Sequence, residues 1–236
     1  MLKQFEELSR TVRNLSSVTD LLKSMGEKTE NVFDIEDNFR SSDPMNVCVE
    51  RVRAIPEARA MMEARYLGPE IDLEALSQLP RGSLGQTYAT VMKTLGYDPN
   101  FYRRRDIETD EDWVTMRLRK THDLVHLITG FGPTGGELGV LSIQAVQIGY
   151  PMCVLLQVAS LGLALKRQPE KLPYLTQQTA RGMAMALQMK PLIAQRWEGG
   201  WDKPLKQWRE ELNITDPVID EPYSLKNRLP ELDLDW

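Results

Sequence analysis

Between Thr121 and Leu165 only four residues are histidine or of a charged type: His122, Asp123, His126 and Glu137. His122 and His126 are also the only histidines of the chain. The rest of the window is apolar, small or neutral polar. Ionisable groups in so apolar a stretch are costly unless they are paired or hold a metal. The 28 residues from Leu138 to Leu165 carry no Asp, Glu, Lys or Arg at all. That length can span a bilayer. Gln144, Gln147, Gln157, Gly149 and Pro151 interrupt it, however, and two buried core helices fit the pattern better.

Composition narrows the class further. A chain of 236 residues suits one large domain or two small ones. The formal charge of -5 argues against a general nucleic-acid binder, which would be basic. Cys48 and Cys153 sit among apolar neighbours, and two such thiols suit a reducing compartment better than a disulfide framework. At the N-terminus, Glu6 and Glu7 argue against a mitochondrial transit peptide, and no apolar signal core follows. The expected location is cytoplasmic.

Alternating strand patterns are almost absent, and helical periodicity recurs. Phe5, Leu8, Val12, Leu15 and Leu22 predict an amphipathic helix over 2–24, followed by a polar loop over 26–40. Asp43 and Pro44 open a helix that Pro56 should kink or end. Ser83 and Gln86 form a capping box ahead of a helix that Gly96 stops. Thr109 and the acidic residues 110–112 open the helix carrying both histidines. Apolar helices are expected over 137–149 and 151–166, divided by Gly149 and Pro151. Another should run from Pro173 to Trp197, and a last one over 203–212. The acidic, proline-containing tail 216–236 should lie extended. The expected fold is all-α: one helical bundle over 1–236, with central apolar helices.

On a helix, residues four apart lie one above the other, so His122 and His126 share a face, and Asp123 fits within about 100° of the same arc. The glycine-rich run from Gly130 to Gly136 has to turn the chain and can bring Glu137 back beside them. Two imidazoles and two carboxylates suit zinc or iron, and magnesium stays in the set. Spacing alone also allows the bland alternative, two helical histidines hydrogen-bonded in a core or at a surface.

His122-Asp123-Leu124-Val125-His126, followed by the Gly-rich run and Glu137, resembles the H-D-x-x-H…E signature of the ubiquinone-biosynthesis Coq4 family. Leu79 to Tyr88 is similar to that family's Leu-Pro-x-Gly-Thr-x-Gly-x-x-Tyr block. Gln147 to Pro151 and Trp208 to Pro217 resemble two later blocks. The resemblance implies His122, Asp123, His126 and Glu137 as metal ligands, an all-helical fold and a pocket for a polyprenyl ligand. It also implies peripheral membrane association and a role in quinone synthesis.

Small residues such as Gly139, Ala145, Gly149, Ala159 and Gly162 let helices approach closely or leave a groove. Leu141, Ala145, Met152, Met185 and Met189 are the candidate lipid-contacting residues, methionine being an adaptable apolar side chain. The same residues can equally be ordinary core. Arg103, Arg104 and Arg105 read as a solvated loop, and Arg117, Arg119 and Lys120 as a solvated helical face. Either set could instead meet anionic headgroups.

Two functions of different classes follow. One is a metal-dependent enzyme of prenylated-quinone synthesis, which the resemblance links to oxidative decarboxylation and hydroxylation of a polyprenyl-benzoate ring. The other is a non-catalytic scaffold that binds a prenyl lipid and organises other quinone-biosynthesis proteins, with a second copy of the chain as a further candidate partner. A zincin is disfavoured because Asp123 is shorter than the glutamate base of H-E-x-x-H. An HD-type phosphohydrolase needs an upstream histidine that this chain lacks.

Overall fold

The computed structural model of the protein describes residues 30–133, 135–219, 224–230 and 232. Eleven helices and no strand are found among these residues, as the all-α expectation has it. The helix expected over 2–24 lies outside them.

The first half is a series of short helices wrapped around one long one. Helix α1 (Glu30–Asn38) occupies what the sequence presents as a polar loop. Most of its residues are polar, but Phe33, Ile35 and Glu36 are buried, so tertiary contacts hold it as a helix. Helix α2 (Asp43–Arg53) is capped by Ser42, one residue before the expected cap, whose side chain accepts from the Met45 amide. Pro56 ends this helix and opens α3 (Pro56–Glu63). A five-residue α4 (Leu73–Ser77) precedes α5 (Leu84–Leu95). Ser83 caps α5 by accepting from the Gln86 amide, while the Gln86 side chain accepts from the Gly82 amide. The reciprocal half of the expected box is thus shifted by one residue. Gly96 closes α5 in the left-handed conformation.

Helix α6 (Asp110–Thr129) is the axis of the molecule, with Thr109 and Asp112 forming a complete capping box at its start. Fifteen of its twenty residues are buried, so it is covered on nearly every side. Its first half gives Trp113, Val114 and Leu118 to one apolar cluster. Its second half gives Leu124, Val125, Leu127 and Ile128 to another. Helix α7 (Glu137–Ile148) splits likewise, with Leu138 and Leu141 in the first cluster and Val140 and Ile143 in the second. The start of α7 and the later turns of α6 therefore meet where the two cores join.

Helix α8 (Pro151–Arg167) follows a Gly149 turn, and α9 (Leu172–Gln188) packs back against α7. A β-carbon at Gly182 of α9 would stand 2.3 Å from the Gly139 carbonyl of α7, so only glycine permits this approach. Helix α9 ends at Gln188, well short of Trp197. Pro191 lacks an amide proton and disfavours helical backbone before it, and only single 3₁₀ turns, Leu192–Ala194 and Trp197–Gly199, follow. Helix α10 is Leu205–Glu211. The described part of the tail is not extended throughout: α11 (Leu225–Arg228) forms within it. No helix of the described residues is long and apolar enough to cross a membrane.

The arginines and lysine read as a solvated face are the largest departure from expectation. Arg117 is fully buried, donates to Glu198 at 2.6 Å and to the Leu67 carbonyl at 3.1 Å. Arg119 pairs with buried Glu36, which also accepts from the Tyr150 hydroxyl at 2.8 Å. Burial pushes the Glu36 carboxyl up against the pull of Arg119. Lys120 donates to the Gly68 carbonyl at 2.8 Å. Their partners lie 50 to 83 residues away in sequence, so no local pattern announces them. Arg103, Arg104 and Arg105 lie in a loop as expected, where they pair with Asp34, Asp37, Glu70 and Asp112, and Arg104 stays exposed.

Candidate metal centre

One turn of α6 and the first residue of α7 bring His122, His126 and Glu137 together, with a ligand atom from each within 4.8 Å of the others. The His126 Nε2 lies 3.0 Å from Glu137 Oε2 and 3.2 Å from His122 Nε2. His122 Nε2 is 3.7 Å from Glu137 Oε1. His126 is nearly covered, whereas His122 and Glu137 each keep 36% of their side-chain exposure. The group thus has a closed back and an open front.

The back is built by the chain reversal after α6. Gly130 ends the helix with φ +83°, where a β-carbon would sit 2.4 Å from the Val218 carbonyl. The tail clamps this corner: the Val218 amide donates to the Thr129 carbonyl, and the Leu225 amide to the Gly130 carbonyl. Phe131 is fully buried, and its ring lies so close over α7 that a β-carbon at Gly139 would meet it at 2.3 Å. This fixes the Phe131 carbonyl, which accepts from His126 Nδ1 at 2.8 Å. A carbonyl can only accept, so Nδ1 carries the proton and Nε2 faces the group.

The electrostatics follow from that tautomer. With Nδ1–H committed, a neutral His126 presents a bare Nε2 lone pair to a carboxylate at 3.0 Å. Two acceptors at that distance repel each other unless a cation lies between or beside them. In the metal-free chain a proton fills this need: burial disfavours the His122 imidazolium, but the Glu137 carboxylate outweighs it and raises the pKa to about 9. The Glu137 carboxyl is opposed by burial but held far below its usual range by both histidines. A divalent metal meets the same need with two nitrogen and one oxygen ligand. The Phe131 carbonyl then acts as the outer partner that orients a metal-bound imidazole. The donor set fits.

Asp123 stands outside this group. It lines a cleft beside His126, together with Tyr88, Met92, Leu127 and Pro133. The structure thus joins three of the four expected ligands and turns the fourth toward a neighbouring space. The five candidate lipid-contacting residues do not converge. Leu141, Ala145 and Met152 pack in one core and Met185 and Met189 in the other. Larger exposed apolar side chains lie elsewhere, at Val154, Val158 and Leu165 on α8 and Met183 and Leu187 on α9. The Phe131 carbonyl had no signal in the sequence beyond the glycines on either side of it.

The model of the family described as coenzyme Q (ubiquinone) biosynthesis protein Coq4 matches residues 41–218. The chain belongs to the Coq4 family. Among its relatives, a mitochondrial ubiquinone biosynthesis protein COQ4 homolog of Aedes aegypti is 29% identical over 85% of this chain and 70% of its own. The Anopheles gambiae homolog is 32% identical over 61% of this chain and 51% of its own length. The human one is 29% identical over 74% and 67%. A crystal structure of a candidate ubiquinone biosynthesis protein from Nostoc punctiforme superposes with a TM-score of 0.78. It is 28% identical, over 87% of this chain and 99% of that one. All four blocks of the Coq4 resemblance fall inside the matched region, and the His122–His126–Glu137 group with them.

Proposed function

We propose that this Coq4-family chain is a metal-binding, prenyl-lipid-binding protein of ubiquinone synthesis. Its reaction would be oxidative decarboxylation and hydroxylation of a polyprenylated hydroxybenzoate ring. The observation that carries this reading is the His122–His126–Glu137 group, whose converging lone pairs need a cation. Zinc or iron suits two imidazoles and one carboxylate better than magnesium, which prefers oxygen ligands. When bound, such an ion supplies Lewis acidity, or redox chemistry if it is iron. Three protein ligands leave a position for substrate, which favours a catalytic centre over a closed structural one.

The chain's own groups supply the rest. Phe131 holds His126 in one tautomer, and the partly exposed His122 and Glu137 form the side from which a ring can enter. Val154 and Val158 are one turn apart on α8. With Leu165 and the α9 residues Met183 and Leu187, they give an apolar surface for a prenyl tail or a membrane interface. Membrane contact at that surface would be peripheral, and other quinone-biosynthesis proteins would meet the chain there.

Glu137→Gln tests the catalytic reading. Gln keeps the shape and removes the charge, so quinone production in cells lacking the native protein should collapse while the melting temperature changes little. A large fall in melting temperature with normal quinone per folded molecule would reject catalysis and favour a scaffold.

A further inference from the structure

The last carbonyls of a helix have no partner within it. At the end of α6 the Gly130 amide takes the His126 carbonyl at 2.8 Å. The carbonyls after it are held from far along the chain. Arg209 of α10 is buried, and it donates from Nη2 to the Leu127 carbonyl at 3.2 Å and from Nε to the Ile128 carbonyl at 2.9 Å. The Val218 amide takes the Thr129 carbonyl at 2.8 Å, and the Leu225 amide takes the Gly130 carbonyl at 2.9 Å. Ser224 lies opposite Phe131 in an antiparallel bridge. The Phe131 carbonyl is the next in the run, and its donor is His126 Nδ1 at 2.8 Å. From Leu127 to Phe131, every carbonyl is therefore held either by the C-terminal segment or by a motif imidazole.

We infer that Arg209, Val218 and Leu225 form a strap whose docking sets the metal affinity of the centre, and that bound metal in turn holds the strap down. The path between them is short. His126 is oriented by the Phe131 carbonyl, and a metal-bound imidazole depends on such an outer partner. That carbonyl stands where the strap fixes residues 127–130. Release of the strap frees this corner and the imidazole with it. Coupling between two binding events is reciprocal, so metal has to favour the docked strap by the same factor. The inference rests on the metal-centre reading above and adds Arg209 to it as a positioning residue.

Hydrogen exchange on the full chain, stripped and zinc-loaded, reads the coupling in wild type. The Val218 and Leu225 amides should exchange about tenfold more slowly with zinc. The Leu84 and Gly85 amides, bonded to the Lys203 and Trp201 carbonyls, are the reference. They should change by less than about twofold, because their opening leaves the metal corner intact. Arg209→Met removes both side-chain donors and should weaken zinc binding by about ten- to a hundredfold per folded molecule. The chain has only two histidines, so nitrogen NMR of labelled imidazoles follows each ring. In zinc-loaded wild type His126 should bind through Nε2 with its proton on Nδ1, and in Arg209→Met that single signature should be lost. Equal slowing at all four amides, or none at Val218 and Leu225, overturns the strap, and this comparison stands even if Arg209→Met does not fold. An Arg209→Met chain that melts lower but binds zinc as wild type does, with the same ring signature, also overturns it and leaves the metal reading intact. Wild type that takes up no zinc overturns the metal reading and the strap together.

Discussion

Helix α6 carries two sets of ionisable side chains one turn apart, and they are settled in opposite ways. In its middle, Arg117 and Arg119 are paired with Glu198 and Glu36, and Lys120 donates to the carbonyls of Gly68 and Pro69. The next turn presents His122 and His126 to Glu137, a set in which acceptors face acceptors. The first set has its arginine charges matched by carboxylates within the folded chain, although Arg117 Nε stays without a hydrogen-bond partner. The second carries a surplus of acceptors, which a proton on His122 fills in the metal-free chain and a divalent metal can take over. Burial alone therefore does not separate a structural ion pair from a functional site. The balance of donors and acceptors within the cluster does.

The comparison can be broken most sharply by removing both imidazoles. His122→Ala with His126→Ala should reduce metal from about one ion per chain to below about a tenth, because alanine offers no ligand atom. Elemental analysis of the purified variant measures this. Unchanged metal would place the ion elsewhere.

The first set should respond in stability instead. Arg117→Met leaves Glu198 buried without its partner and should cost about 3–5 kcal/mol. That corresponds to a fall of roughly 6–20 °C in melting temperature for a chain of this size. Metal content per folded molecule should stay that of wild type. Calorimetry beside elemental analysis separates the two readouts, and a variant that keeps its melting temperature but loses metal would dissolve the distinction.

A smaller effect is expected from pH. The His122 pKa is raised from 6.5 to about 9 in the metal-free chain, so metal has to displace a proton at neutral pH. Apparent zinc affinity should climb by about tenfold per pH unit up to about pH 9 and then level off. The stability that the His122–Glu137 pair gives the metal-free protein has the opposite sign. It is fully present between about pH 4.5 and 6.5 and is lost as pH rises through about 9. Competitive zinc titrations and melting curves of the stripped protein between pH 6 and 9.5 test both slopes. A flat affinity profile would mean that the imidazoles bind no proton that the metal must displace.

How much of this was legible in the sequence depends on the range of the interactions. Helix ends were readable where a local rule acts alone, at Thr109, Gly96, Gly149 and Pro56. The grouping of His122, His126 and Glu137 was readable because helical spacing and the lack of competing charges confine them. Helix α1 was not, since Glu36 finds Arg119 only after the chain has folded back. The same holds for Arg117 and Glu198, 81 residues apart. A basic run looks solvated when its acidic partners are out of sequence range. Asp123 was expected beside the histidines from a helical arc of about 100° and from the family resemblance, and it lies next to the group, lining the cleft beside His126. The candidate lipid contacts fall in both cores, since an apolar pattern marks burial and says nothing of which of two cores receives it.

The central claim is that His122, His126 and Glu137 form one metal centre, and X-ray absorption on the purified protein tests it most directly. The account predicts a divalent transition metal with two imidazole nitrogens at about 2.0–2.1 Å and at least one oxygen ligand. The imidazole scattering should disappear when both histidines are replaced. A first shell of oxygens alone, or an imidazole signal that survives the double substitution, would contradict it.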